Sequence, residues 1–241
     1  MTWIWANLDL IWDRTLDHVV LSVPAIVLSF IIALPIGWLA HRYRASRGVI
    51  LTVVGLLYAI PSLPLFIILP IIVGTSTRSP LNLVIALTLY GVALMVRVVA
   101  DGLASVDLDV RQSASAVGFS TWTEFWQVEL PLSGPVLLAG LRVVAVSTVS
   151  LATVGAVIGV QSLGSLFTDG FQRGIQAEII AGIVATVVLA LVFDALLVYA
   201  GRLLMPWTRS RAATTVTDNA AGSVSTAATP ASENRSREIA R

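Results

Sequence analysis

Long apolar runs alternate with short polar stretches along most of the chain. Five runs stand out, and the first four are nearly free of charge: His18–Ala40, Val49–Gly74, Leu81–Ala100, Gly134–Val160 and Glu178–Leu204. At about 1.5 Å per residue, a helix of about 20 residues crosses a hydrocarbon core of about 30 Å. The pattern therefore predicts an all-α membrane protein with about five transmembrane helices.

The arginines indicate how these helices are oriented. Only Arg14 precedes the first run, whereas Arg42, Arg44 and Arg47 follow it closely. Cytoplasmic connections carry an excess of basic residues, so we expect the N-terminus outside and the C-terminus inside. Residues 1–17 then form an extracytoplasmic segment, residues 18–204 the transmembrane domain, and residues 205–241, which are rich in small polar side chains, a disordered cytoplasmic tail.

Composition narrows the possible chemistry. The chain is 56% hydrophobic and 12% charged, contains no cysteine, and draws all its basic residues from arginine. The absence of lysine excludes a Walker A phosphate loop, and His18 and His41 alone do not suggest a metal or catalytic site. We expect no cofactor, no metal, no enzymatic activity, and, with a net charge of +1, no nucleic-acid partner.

One amphipathic insert, "RQSASAVGFSTWTEFWQVELP", separates the third and fourth runs. Residues 107–117 have helical spacing, and Gly118 suits a left-handed helix end. Thr121–Glu124 has the capping-box pattern of a new helix, on which Trp122, Phe125 and Trp126 share one face. With Pro131 as a stop, the pattern predicts a short helix, a turn and a second short helix, all outside the bilayer.

The aromatic face of this insert has two interpretations. It could lie on lipid headgroups, but interfacial helices are usually rich in basic residues on the polar face. Here the polar positions include Glu124 and Glu129 instead. A protein groove that accepts an apolar helix face is therefore favoured.

The spacing of the insert also resembles a known signature. Permease subunits of binding-protein-dependent ABC importers carry E-A-A, three residues, G, nine residues, I, one residue, L-P. The matching residues here are Gln112, Ser113, Ala114, Gly118, Val128, Leu130 and Pro131, with Gln112, Ser113 and Val128 as departures. Three further stretches, Leu57–Phe66, Leu89–Arg97 and Leu138–Gly159, are similar to the branch that imports glycine betaine, choline, carnitine or proline as osmoprotectants.

This resemblance implies a type I ABC importer permease fold in the cell membrane, with a set of partners. These are a cytoplasmic ABC ATPase, a second permease subunit of the same or a related chain, a separate extracytoplasmic substrate-binding protein and the lipid bilayer. The residues expected to couple the chain to the ATPase are Gln112, Ser113, Ala114, Gly118, Trp122, Phe125, Trp126, Leu130 and Pro131. A secondary transporter of small amines and a membrane scaffold or sensor remain as alternatives.

Two places within the membrane are candidate sites. Pro61 and Pro64 remove backbone donors from the second run, and a broken helix at membrane depth is tolerated where it lines a cavity. We expect Tyr58, Pro61 and Ser62 to line the translocation path, with a simple packing kink as the alternative. Asp194 is an acid deep in a span and is therefore a further candidate for the translocation path, with Arg142, Ser147 or Ser150 as possible partners. Snorkelling to the interface or a structural pair with Arg142 is the alternative.

Overall fold

The structure is a computed structural model that describes residues 2–207, so most of the predicted tail lies outside the described residues. The described part is built from helices. They are α1 (Thr2–Ala6), α2 (Leu8–Arg42), α3 (Arg44–Ala59), α4 (Ser62–Val73), α5 (Pro80–Ala104), α6 (Leu108–Ala116), α7 (Thr121–Glu124), a π-helical turn (Phe125–Glu129), α8 (Leu130–Val154), a 3₁₀ turn (Gly155–Ile158), α9 (Gly164–Arg173) and α10 (Gln176–Leu204).

The two helices α2 and α5 pack against each other at glycines. A Cβ atom on Gly37 would meet Val99 at 2.5 Å, and one on Gly91 would meet the Ser29 hydroxyl at 2.1 Å. The missing side chains let the two helices approach closely. α5 is accordingly well buried: 67% of its most apolar 18-residue stretch lies inside the protein. The corresponding share for α10 is 17%, which leaves most of that helix facing outward.

The second apolar run is broken at its prolines, as predicted. α3 ends at Ala59, α4 begins at Ser62, and the two helices meet at 104°. The pair nevertheless follows α5 along its length: Arg47 contacts Asp101, the Ile60 carbonyl accepts from the Tyr90 hydroxyl, and the Phe66 carbonyl accepts from the Asn82 amide. Because these contacts run antiparallel to α5, we interpret the bent pair as one broken crossing.

With this pair, the number of candidate spans reaches five. Four other helical stretches are long and apolar enough to cross a membrane: residues 8–42, 80–104, 121–158 and 176–204. The prediction of an all-α protein with about five transmembrane helices is confirmed. α2 begins at Leu8 and thus extends beyond the apolar run that predicted it, while α9 is a short helix between the last two spans.

The insert, residues 107–131, differs in two details from its prediction. The second helix is capped by Ser120, whose hydroxyl accepts from the Thr123 N–H at 3.3 Å, and not by Thr121. Pro131 does not stop the helix. The chain continues from α7 through the π-helical turn into α8, so the second half of the insert and the fourth span form one continuous helical stretch. The π-helical turn ends just before Pro131. Pro131 has no N–H from which the Gln127 carbonyl could accept a regular α-helical hydrogen bond.

Candidate functional site

The bend of the insert, which we call the elbow (residues 107–131), is formed by a Schellman motif. Gly118 has φ +97°, a left-handed conformation that glycine adopts without strain. The N–H of Phe119 donates to the Ala114 carbonyl at 3.1 Å and the N–H of Gly118 to the Ser115 carbonyl at 3.0 Å. These bonds end α6, and α7 starts three residues later with its own cap. The left-handed helix end predicted at Gly118 is therefore present.

The aromatic face of the elbow is partly occupied by the chain itself. Phe125 is 3% exposed, and its ring centroid lies 5.9 Å from that of Trp38 on α2. Trp122 also contacts Trp38, at 6.3 Å, but remains 62% exposed. Phe125 thus fixes the elbow to α2, whereas the rings of Trp122 and Trp126 remain accessible on its surface.

The remaining signature residues divide between α6, which we call the exposed arm, and the first turn of α8, which forms a partly covered base. Gln112 and Ser113 are exposed, Ala114 is half-buried, and α6 contains no buried residue at all. Leu130 and Pro131 are half-buried in the first turn of α8. A cavity of about 670 Å³ opens between α6 and the α2–α3 corner, and Gln112 lines it together with several arginines. The exposed arm is the part of the elbow that another protein could contact.

A polar cluster that sequence analysis missed joins the elbow to the membrane helices. Nη1 of Arg111 lies 3.1 Å from His41 Nε2 and 3.7 Å from Glu129 Oε1, and Nη2 donates to the Val106 carbonyl at 3.1 Å. The His41 and Glu129 side chains are 11% and 8% exposed. No local pattern signals this cluster, because 70 residues separate His41 from Arg111.

Around the break in the second span, side chains of α5 replace the missing backbone donors. Pro64 has no N–H for the Ile60 carbonyl, and the Tyr90 hydroxyl donates to that oxygen instead. Pro70 similarly leaves the Phe66 carbonyl free, and the Asn82 amide donates to it at 3.2 Å. The two carbonyls that lack a proline N–H thus accept hydrogen bonds from side chains of α5.

The structure brings Tyr58, Pro61 and Ser62 together at this break. The rings of Tyr58 and Tyr90 meet edge to face, 5.9 Å apart. Tyr58 is 46% exposed, Pro61 is exposed and Ser62 is half-buried. Of the three predicted path residues, Tyr58 and Pro61 are therefore accessible, and Ser62 is partly accessible.

Asp194 lies elsewhere, in a pair with Arg142. Nε and Nη2 of Arg142 donate to the two carboxylate oxygens at 2.6 and 2.7 Å, which joins α8 to α10. Of the partners considered for Asp194, the structure selects Arg142 over Ser147 and Ser150. Within residues 2–207, no hydrogen bond or ion pair joins Asp194 to the Tyr58 group.

Comparison with known proteins identifies the family. Residues 25–210 match the family model described as "Binding-protein-dependent transport system inner membrane component". The chain belongs to this family. The permease is therefore a multi-pass protein of the cell membrane and a transport subunit, as the signature in the elbow predicted.

Solved structures confirm the fold. The permease aligns with a chain of the MetNI methionine ABC transporter in an inward-facing conformation with a TM-score of 0.69 and 20% identity, covering 83% of this chain and 96% of that one. A chain of an amino acid ABC transporter crystallised with histidines gives a TM-score of 0.65 and 14% identity, over 84% and 96% of the two chains. The predicted type I importer permease fold is thus confirmed.

Curated relatives cover most of both sequences. The choline transport system permease protein OpuBB of Bacillus subtilis is 28% identical over 80% of this chain and 88% of that protein. The carnitine transport permease protein OpuCD of Listeria monocytogenes is 28% identical over 78% and 84%. The osmoprotectant import permease protein OsmY of Salmonella typhimurium is 29% identical over 79% and 80%. The resemblance to the osmoprotectant branch is confirmed.

Proposed function

We propose that the permease forms the translocation path of an ATP-driven importer for quaternary-ammonium osmoprotectants such as choline, carnitine or glycine betaine. The observation that carries this proposal is the likeness, over about four fifths of the chain, to permeases named for choline, carnitine and osmoprotectant transport. A separate extracytoplasmic protein would bind the substrate first, with aromatic rings around its cationic headgroup.

A separate cytoplasmic ABC ATPase would supply the energy, because the permease has no lysine for a phosphate loop of its own. We propose that this ATPase contacts the exposed arm of the elbow, through Gln112, Ser113 and Ala114 on α6 and the accessible rings of Trp122 and Trp126. Gly118 sets the angle of the arm. Phe125, Leu130 and Pro131 form its base and pass its movement to α2 and α8.

The substrate would cross beside the broken span. Tyr58 presents an accessible ring there, and aromatic rings attract quaternary ammonium groups. Pro61 and Ser62 follow Tyr58 at the break and are accessible or partly accessible, while Asp194, through Arg142, would fix the position of α10 at the path. A second permease subunit, identical or related, would complete the wall that these helices leave open.

Reconstitution tests the proposal. The permease, purified from its native membrane with an affinity tag, should carry a stoichiometric ATPase and should import radiolabelled choline or glycine betaine into proteoliposomes when ATP and the binding protein are supplied. Vesicles without ATP are the control. Uptake driven by an ion gradient alone would indicate a secondary transporter, and the absence of both uptake and ATPase would indicate a scaffold or sensor.

A further inference from the structure

The cluster of Arg111, Glu129 and His41 lies where the elbow meets the membrane helices. Its three side chains come from three elements: α6, the π-helical turn and the last turn of α2. Through them the exposed arm is tied both to the second half of the elbow and to the first span. Among the described residues, this polar cluster and the aromatic contact between Phe125 and Trp38 both join the elbow to α2.

The hydrogen-bond chemistry of the cluster gives Arg111 the central role. Nη1 of Arg111 lies 3.1 Å from His41 Nε2, and the same His41 nitrogen lies 3.5 Å from Glu129 Oε1, so each of the three side chains contacts the other two. The same Nη1 faces the Glu129 carboxylate at 3.7 Å, and Nη2 donates to the Val106 carbonyl, just ahead of α6. Arg111, on α6, thus contacts both the residue just before α6 and the π-helical turn. Its rigid planar guanidinium limits rotation of α6 about the preceding loop.

Burial makes the cluster sensitive to the loss of one member. The Glu129 side chain is 8% exposed and that of Arg111 is 23% exposed, so water screens the pair weakly. Removing one charge of a buried pair leaves the other uncompensated, which is more destabilising than removing both. By contrast, Glu124 lines the same cavity without an ion-pair partner among the described residues.

We propose that Arg111, Glu129 and His41 are positioning residues that hold the elbow in a fixed orientation on the permease, so that a push on α6 moves the membrane helices. This inference rests on the proposed coupling function. A rigid joint transmits displacement, whereas a loose joint lets α6 rotate and dissipates it. Loss of the cluster should therefore separate ATP hydrolysis from transport without preventing assembly.

The first test compares Glu129→Gln with the matched control Glu124→Gln in the reconstituted complex. The measured quantity is the amount of radiolabelled choline or glycine betaine imported per ATP hydrolysed. Glu129→Gln should keep ATP hydrolysis and lower this ratio about fivefold or more, and Glu124→Gln should keep the wild-type ratio. Amide hydrogen exchange in residues 108–116 of the permease should become about tenfold faster in Glu129→Gln alone.

The double variant Arg111→Gln/Glu129→Gln distinguishes positioning from stability. It carries no lone buried charge, so its melting temperature should return towards that of the wild type, while import per ATP should stay low because the joint is missing. A ratio that recovers together with the melting temperature would overturn the proposal, as would a wild-type ratio and exchange rate in Glu129→Gln. If the wild-type complex itself neither hydrolyses ATP nor imports, the proposed function fails, and the exchange measurement alone then decides whether the cluster fixes α6.

Discussion

Arg142 and Asp194 are two opposite charges that meet between helices of the membrane domain. Their bidentate contact joins α8 to α10, a helix that is otherwise mostly exposed. An unpaired charge in apolar surroundings is costly, whereas two neutral side chains are tolerated. The pair therefore adds to the apolar packing of α10 only while both members are present.

This pair gives a prediction about stability and role. Asp194→Asn should lower the melting temperature in detergent and the amount of protein in the membrane, and Arg142→Gln/Asp194→Asn should recover most of both. Thermal unfolding followed by size-exclusion chromatography measures the first quantity. A wild-type melting temperature in Asp194→Asn would contradict the argument. Uptake by the stable double variant then shows whether Asp194 also acts in transport.

The hydroxyl of Tyr90 supplies a donor that Pro64 removes from the backbone. In Tyr90→Phe the Ile60 carbonyl loses this partner, and a backbone acceptor at membrane depth that lacks a hydrogen-bond partner is costly because the hydrocarbon core offers no water. The variant should therefore melt several degrees lower than the wild type. Tyr58→Phe is the matched control, because the Tyr58 hydroxyl makes no hydrogen bond within residues 2–207. Equal melting temperatures for the two variants would show that water or another group satisfies the carbonyl.

The elbow depends as an element on the left-handed backbone of Gly118. A Cβ atom there would have no neighbour within 4 Å, so a substitution acts through backbone strain alone. For a non-glycine residue this conformation costs about 1–2 kcal/mol, and a β-branched side chain fits it poorly. Gly118→Val should therefore change the angle between α6 and α7 rather than the membrane domain.

The expected result of Gly118→Val is an inserted protein that hydrolyses ATP with its partner but imports little substrate. Gly48→Val provides the control, because Gly48 also has open space around its Cβ position but lies in α3 without a positive φ. Import per ATP in proteoliposomes is the measurement. Full import by Gly118→Val would rule out the elbow as the element that transmits movement.

At the scale of elements, local signals were predictable and distant partners were not. The break at Pro61 and the left-handed turn at Gly118 follow from the residues themselves, because proline lacks a backbone N–H and glycine lacks a Cβ atom. The cap at Ser120 was misplaced by one residue, because Ser120 and Thr121 both have side chains that can cap. The aromatic spacing predicted a shared face, but not that Trp38, far away in the chain, would cover Phe125. Nor could any local pattern reveal that Tyr90 serves the Ile60 carbonyl.

For the whole molecule, the side-chain contacts and the arginine distribution lead to the same arrangement. The ion pair of Arg47 and Asp101, at 2.8 Å, places the α2–α3 corner at the C-terminal end of α5. The contact of Arg111 with His41 places the elbow at that end as well. The arginine-rich corner and the elbow therefore share one face of the membrane, and the excess of basic residues predicts that this face is cytoplasmic. This requires α3 and α4 together to cross the bilayer once.

Because the chain contains no cysteine, single cysteines can test this orientation without background. Val117 in the elbow and Phe171 in α9 are 80% and 81% exposed, and the span α8 separates them. In right-side-out vesicles, an impermeant maleimide should label Phe171→Cys but not Val117→Cys, and permeabilisation should expose the latter. Adding the ATPase should then protect Val117→Cys and leave Phe171→Cys reactive. The opposite labelling pattern would place the elbow outside, away from any nucleotide-driven partner, and would overturn this orientation.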